Sequence, residues 1–315
     1  FGYVLEISGF GNSKKLAAQF YFKEMTVLKV MFTAIVVAMV LIFVMVGLGV
    51  LDYNQVWVNP TYMASGIVGG LIMGVGFIVG GFCPGTSLVA MTTLKLDGLF
   101  FVLGGLTGIF LFGETVPMFE EWWNGSYLGR FTIMDWLNVP NGVVVLGVVL
   151  MALFMFWGSE QLERIFGKRD LKKEPRLRLA GAAALVVLAV AVLVIGQPST
   201  EQKWARISLE KEASLTGREV QITPAELLTT MADDRLIPVI LDVRPESDYN
   251  LFHIQGARNV AEGDLTSLAK EFIASYTNNT VFVVVSNEEG AATSAWKKLV
   301  AESVSNVYIL EGGIN

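Results

Sequence analysis

The residues best suited to chemistry lie together at Cys83-Pro84-Gly85-Thr86-Ser87. Gly80, Gly81 and Gly85 allow backbone conformations closed to other residues, and Pro84 prevents a continuous helix through the stretch. Thr86 and Ser87 are good caps for a half-helix running on to Leu94. A helix start set in an apolar environment presents free N–H groups and a positive dipole end, which makes an anion site without a charged side chain. Cys83 adds a soft sulfur and a weak S–H donor. The same composition also suits a Gly-rich packing interface with a small buried cysteine, and residue chemistry alone slightly favours packing. Cys83 is the single cysteine of the chain, which excludes an intramolecular disulfide and any CxxC metal or redox pair. Ser8-Gly9-Phe10-Gly11-Asn12-Ser13 resembles Gly81-Phe82-Cys83-Pro84-Gly85-Thr86, with Gly11 in the place of Cys83. Paired breaks of this kind point to a transport site near the bilayer midplane, with Cys83 at the start of a broken helix; chance matching of Gly-rich membrane sequence is the alternative.

The elements that must position these residues are apolar. Of 315 residues, 53% are hydrophobic and 17% charged, against roughly 25% charged in soluble domains. No Asp, Glu, Lys or Arg occurs in 30–51, 56–94, 136–159 or 179–200. Each run matches the ~20 residues that cross a hydrocarbon core. Spans are expected near 27–51, 64–82, 98–118, 142–159 and 178–196, and the 39-residue run 56–94 fits a helix, a break and a half-helix. Segment 160–178 holds Arg164, Lys168, Arg169, Lys172, Lys173, Arg176 and Arg178, which puts it on the cytoplasmic side. Loops 52–63 and 114–141 are then outside, with Trp57, Trp122, Trp123 and Trp136 forming an aromatic belt; Lys14, Lys15 and Lys23 put the N-terminal segment inside. The net charge of −6 resides in loops and the C-terminal third and gives no case for nucleic acid. The chain begins at Phe1 and ends after Gly313-Ile314-Asn315, so the full protein is expected to extend beyond both ends.

From 221 the pattern becomes a soluble α/β alternation after a polar connector at 197–220. Val239-Ile240-Leu241, 281–285 and Val307-Tyr308-Ile309-Leu310 read as buried parallel strands, and 224–232 and 291–302 as helices. The fold class expected is an α-helical polytopic membrane bundle with broken half-helices over 1–196, followed at 221–315 by an α/β domain with a parallel sheet.

Gly80-Gly81-Phe82-Cys83-Pro84-Gly85-Thr86-Ser87-Leu88 resembles the signature of the YeeE/YedE membrane family, and so does the stretch from Gly9 through Lys14-Lys15-Leu16-Ala17 to Ala34. The resemblance covers about residues 1–196. It implies import of thiosulfate or a similar small sulfur anion, with Cys83, Pro84, Gly85, Thr86, Ser87 and Gly11 as substrate-binding residues. Such transporters pass their anion along several cysteines. This chain keeps only Cys83, so a multi-cysteine relay is excluded, and five spans imply a further N-terminal span or a homo-oligomer. Leu241-Asp242-Val243-Arg244-Pro245-Glu246, then Tyr249, then His253-Ile254-Gln255-Gly256-Ala257-Arg258-Asn259 resembles the rhodanese fold, with Asp242, Arg244, His253 and Gly256 as its structural motif. By that resemblance the strand 281–285 delivers Ser286 where a rhodanese has its cysteine. Serine forms no stable persulfide, and Glu288 and Glu289 would repel an anionic donor. His253 is expected to be a satisfied turn histidine and not a catalytic base.

The expected protein is therefore not an enzyme and uses no cofactor or metal. It transports a small sulfur anion across a bacterial inner membrane, with an inactive rhodanese-like domain outside the cytoplasm that binds a protein partner. The alternative is a non-transporting subunit that anchors this domain in a larger complex. An active sulfurtransferase is disfavoured by Ser286.

Overall fold

Helix ends follow the uncharged runs closely but not everywhere. The computed structural model describes residues 2–168 and 177–315. Arg169, Lys172, Lys173 and Arg176, on which part of the orientation argument rests, lie outside the described residues. The chain divides into two units, Phe1–Val44 with Asn59–Gly196, and Met45–Val58 with Gln197–Asn315.

The first unit is helical. Two short helices, α1 (Gly2–Ile7) and α2 (Ser13–Ala17), precede α3 (Thr26–Leu48). Then follow α4 (Met63–Gly80), α5 (Pro84–Thr92), α6 (Leu96–Thr115), α7 (Glu120–Asn124), α8 (Ile133–Leu137), α9 (Asn141–Ile165) and α10 (Leu177–Ile195). Among the described residues five helical segments are long and apolar enough to cross a bilayer, with α4 and α5 counted as one. Their outward faces carry side chains such as Leu71, Ile72, Phe110 and Phe154, a surface suited to hydrocarbon. The Thr61 and Met63 amides donate to Gly129 O and Ser126 O at 2.9 and 3.2 Å. This brings the start of α4 to the segment that follows α6 and α7, so α4 and α6 run in opposite directions. α9 continues six residues past its expected end at 159, through Glu163. That carboxylate is fully buried and accepts from the Met25 amide and from Lys29 Nζ, both at 2.6 Å, so its charge does not end the helix. Gly142 brings α9 against Leu193 of α10, because a Cβ there would lie 2.5 Å from the Leu193 Cα.

The second unit begins with α11 (Thr200–Thr216), where a connector was expected. Its Trp204 packs edge-on against Trp296, ring centres 5.9 Å apart, and Leu215 joins the same core, so this polar-faced helix belongs to the domain. After it come β1 (Gln221–Ile222), α12 (Pro224–Ala232), β2 (Ile237–Asp242), α13 (Glu246–Leu251), β3 (Arg258–Asn259), α14 (Leu265–Ser275), β4 (Thr280–Val285), α15 (Glu289–Ala301) and β5 (Val307–Leu310). The strands form one parallel sheet in the order β1-β5-β4-β2-β3. Residues of α14 and α15 cover one face and α12 with Tyr249 the other, which explains the nearly continuous apolar run of β4. Residues 45–58 also belong to this unit. Asn54 Nδ2 donates to Glu302 Oε2 at 2.8 Å, and Thr200 Oγ1 and Lys203 Nζ donate to the same carboxylate at 2.6 and 2.5 Å. Ser303 Oγ bonds Asp52 beside them.

Candidate functional site

In the first unit the two breaks are built alike. α1 and α4 are each followed by a glycine in the left-handed region, Gly9 at φ 78° and Gly81 at φ 69°. Each glycine precedes a buried phenylalanine, Phe10 (2% exposed) and Phe82 (0%), and these share one apolar cluster with Leu16, Val27 and Ala90. The loops touch, since a Cβ on Gly81 would lie 3.1 Å from Ser13 O. The structure thus brings together the two motifs that the sequence pairs at a distance.

Cys83, not Thr86 or Ser87, caps α5. Pro84 has its φ preset for the first helical position, so the cap falls one residue earlier. The Thr86 amide donates to Cys83 Sγ at 3.4 Å, and the Cys83 amide donates to Thr86 Oγ1 at 3.0 Å. Ser87 Oγ donates back to Pro84 O at 2.8 Å. Cys83 is half-buried, whereas Thr86 and Ser87 are buried. The half-helix ends at Thr92, and Leu94 turns in the left-handed region toward α6. Gly98 of α6 packs on Ala90, where a Cβ would meet its Cβ at 2.5 Å. Cys83 is the twenty-first of the 30 residues Met63–Thr92, past the middle of that span; α4 alone supplies about 27 Å of rise. The expected midplane position therefore does not follow from helix length.

Gly11 does not face a thiol. A side chain there would overlap the Glu6 carboxylate and lie 3.0 Å from Lys95 Nζ. Lys95 Nζ donates to Glu6 Oε1 at 2.6 Å, and Ser13 Oγ donates to Asp97 Oδ2 at 2.7 Å. Glu6, Lys95 and Asp97 were not legible as site residues. The available signal was Lys95, the first charge after the long uncharged run, standing level with a glycine break.

In the second unit β4 delivers Ser286, 2% exposed, into the loop before α15. Its Oγ accepts from the Ala292 amide at 3.1 Å and donates to Glu288 O. Asp242 and Arg244 are buried as a multiply bonded pair, with Arg244 Nη2 to Asp242 Oδ2 at 2.7 Å, Nη2 to Phe252 O at 2.7 Å and Nη1 to Asn287 Oδ1 at 3.3 Å. Arg244 thus ties the loop after β2 to the Ser286 loop. His253 stacks on Tyr249 at 4.0 Å with Nδ1 2.9 Å from Tyr249 O, and Gly256 turns at φ 81°. Glu289 departs from expectation. Arg218 Nη2 donates to its Oε1 at 2.9 Å and the Gly312 amide donates to the same oxygen at 2.8 Å. The Arg218 hydrogen bond, then that of Gly312, holds its carboxyl below the usual carboxylate range. Its charge is already matched, so of the two expected repulsive carboxylates only Glu288 projects exposed from the loop. Arg218, which also bonds Glu311, was not legible as part of this site. Among the described residues no group of three or more His, Cys, Asp or Glu is arranged to hold a metal ion.

The family model for sulphur transport matches residues 8–234, and that for the rhodanese-like domain matches residues 223–315. None of the curated proteins matches the chain significantly. The chain is similar to the crystal structure of SSP1007 from Staphylococcus saprophyticus subsp. saprophyticus, at 21% identity over 30% of this chain and 89% of the other, with a TM-score of 0.26. With more than half its length matched and the break motifs inside that match, the chain belongs to the sulphur transport family and carries a rhodanese-like domain at its C-terminal end.

Proposed function

We propose that the first unit carries a small sulfur anion such as thiosulfate across a bacterial inner membrane, and that Cys83, Pro84, Gly85, Thr86, Ser87 and Gly11 line its path. The observation that carries this reading is the convergence of two helix–glycine–phenylalanine–helix breaks within the family's segment. Cys83 Sγ and the first turn of α5 supply a polar patch where the surrounding spans are apolar. One thiol cannot pass an anion to a second, so binding here is by hydrogen bonding and dipole, without covalent transfer.

The rhodanese-like domain lies outside the cytoplasm in this reading and transfers no sulfur. The sole cysteine of the chain is outside it, and Ser286 Oγ is committed to two loop contacts. The domain acts as a binding module for a partner protein. A binding domain of this kind also suits a non-transporting anchor subunit. Uptake of labelled thiosulfate into proteoliposomes separates the two functions. Transport by the full chain, with at least a tenfold loss in Cys83→Ala, supports the carrier; no uptake by either supports the anchor.

A further inference from the structure

Gly9, Phe10 and Gly11 form a turn bracketed by two ammonium groups. A Cβ on Gly9 would lie 3.2 Å from Lys15 Nζ, and one on Gly11 would lie 3.0 Å from Lys95 Nζ. The two glycines let both lysines lie close to the backbone. Lys15 Nζ donates to Ser8 O at 2.8 Å, a neutral partner, and stands 4.0 Å from Glu24. Lys95 is held at 2.6 Å by Glu6, and this carboxylate is only half satisfied: its Oε2 is buried without a hydrogen-bond partner among the described residues, in the space left open by Gly11. Asp97, the next acid, is occupied by Ser13 Oγ and by the amide of Gly98. Thus a carboxylate sits against an ammonium beside the paired breaks, in a place where it forfeits half of its hydrogen bonding.

We propose that Lys95 binds the substrate oxyanion and that Glu6 is its built-in competitor, displaced when the anion arrives. The inference rests on the transport reading and adds a charged residue beside Gly11, past the end of α5 opposite Cys83. The side chains of Lys95 and Glu6 are 36% and 33% exposed, so the pair is open to solutes and weak. A doubly charged anion attracts the same ammonium about twice as strongly at equal distance. It also brings several acceptor oxygens where Glu6 offers one to Lys95. Displacement frees Glu6 to meet water, so its buried Oε2 regains hydrogen bonding. Chloride lacks both advantages and any other monoanion lacks the first, which makes the pair a filter for multivalent oxyanions. Gly11 follows from the same arrangement: a side chain there would need the space that Glu6 fills.

The test is thiosulfate binding to the full chain in nanodiscs, read by calorimetry, with uptake into proteoliposomes measured in parallel. Glu6→Gln keeps the shape and removes the competing charge, and it should tighten binding about threefold to fivefold. Lys95→Gln should weaken binding about tenfold or more, Lys95→Arg should stay within about twofold of wild type, and Glu6→Gln with Lys95→Gln should bind no better than Lys95→Gln alone. Unchanged or weaker binding in Glu6→Gln, or unchanged binding in Lys95→Gln, overturns the proposal. If the wild type imports thiosulfate through Cys83 but ignores both substitutions, the proposal falls and the transport reading stands. Lys95-dependent binding in Glu6→Gln without any uptake supports an oxyanion site at Lys95 and removes the transport reading. Absence of binding in every variant removes the proposal.

Discussion

Ser286 Oγ both receives the Ala292 amide and bonds Glu288 O, so it pins the first turn of α15 to the end of β4. Ser286→Ala leaves a buried amide without an acceptor, at a cost of about 1–3 kcal/mol; amide exchange at 288–292 should quicken while the rest of the sheet keeps its protection. Ser286→Cys should yield little thiocyanate from thiosulfate and cyanide, because the loop offers the donor no cationic cradle. Adding Glu288→Lys should recover more activity, since Glu288 is the exposed charge, whereas replacing Glu289 would only break the Arg218 contact. Robust turnover by the unmodified chain would contradict the non-catalytic reading. Glu289 predicts a pH effect whose sign is fixed. Its folded pKa is depressed, so its stabilisation is complete above the ordinary value of 4.5 and is lost as pH falls through the depressed value. The protection factor of the Gly312 amide should therefore drop below about pH 4.5, and Glu289→Gln should remove that dependence.

At the level of elements, the break between α4 and α5 rests on a left-handed glycine and a reciprocal cap. Thr86→Val removes the half of that cap in which the Cys83 amide donates to Thr86 Oγ1, worth about 1 kcal/mol, and should loosen the first turn of α5. Maleimide labelling of Cys83 should then accelerate severalfold; an unchanged rate would show that the cap does not hold the turn. Gly98→Val should push α6 off Ala90 and lower the thermal stability of the purified protein. The break, the span count and the helix over 224–232 were legible because Gly, Pro and charge act locally. The cap falls at Cys83, three residues before Thr86 and four before Ser87, because Pro84 takes the first helical position. The length of α9 was misjudged because Glu163 is satisfied by Met25 and Lys29, 138 and 134 residues away. α11 read as a connector because its polar composition masks the two apolar side chains that pack on the core. The charges around Gly11 were invisible for the same reason: Glu6 and Lys95 are 89 residues apart and meet only in the fold.

For the whole molecule, the orientation argument predicts that labels on Lys168→Cys and Gly263→Cys, each in a Cys83→Ala background, react from opposite faces of the membrane. Reaction from one face would reverse the assignment of the rhodanese-like domain. The second unit is also discontinuous in sequence, and Glu302 is where its parts join. Glu302, 4% exposed, is neutralised by Lys203 and hydrogen-bonded by Asn54, 248 residues earlier. Without Asn54 this carboxylate keeps Thr200 and Lys203 but loses its third side-chain donor, so residues 197–315 expressed alone should melt below the same residues supplied with a peptide covering 45–58. This sets an order of assembly. A chain leaving the ribosome delivers Asp52 and Asn54 early, and they wait through the insertion of four further spans before α15 emerges to meet them. α15 thus acts as a checkpoint for α3: an erroneously inserted α3 leaves its exit loop on the wrong face, and the domain that should incorporate that loop stays incomplete and open to proteolysis.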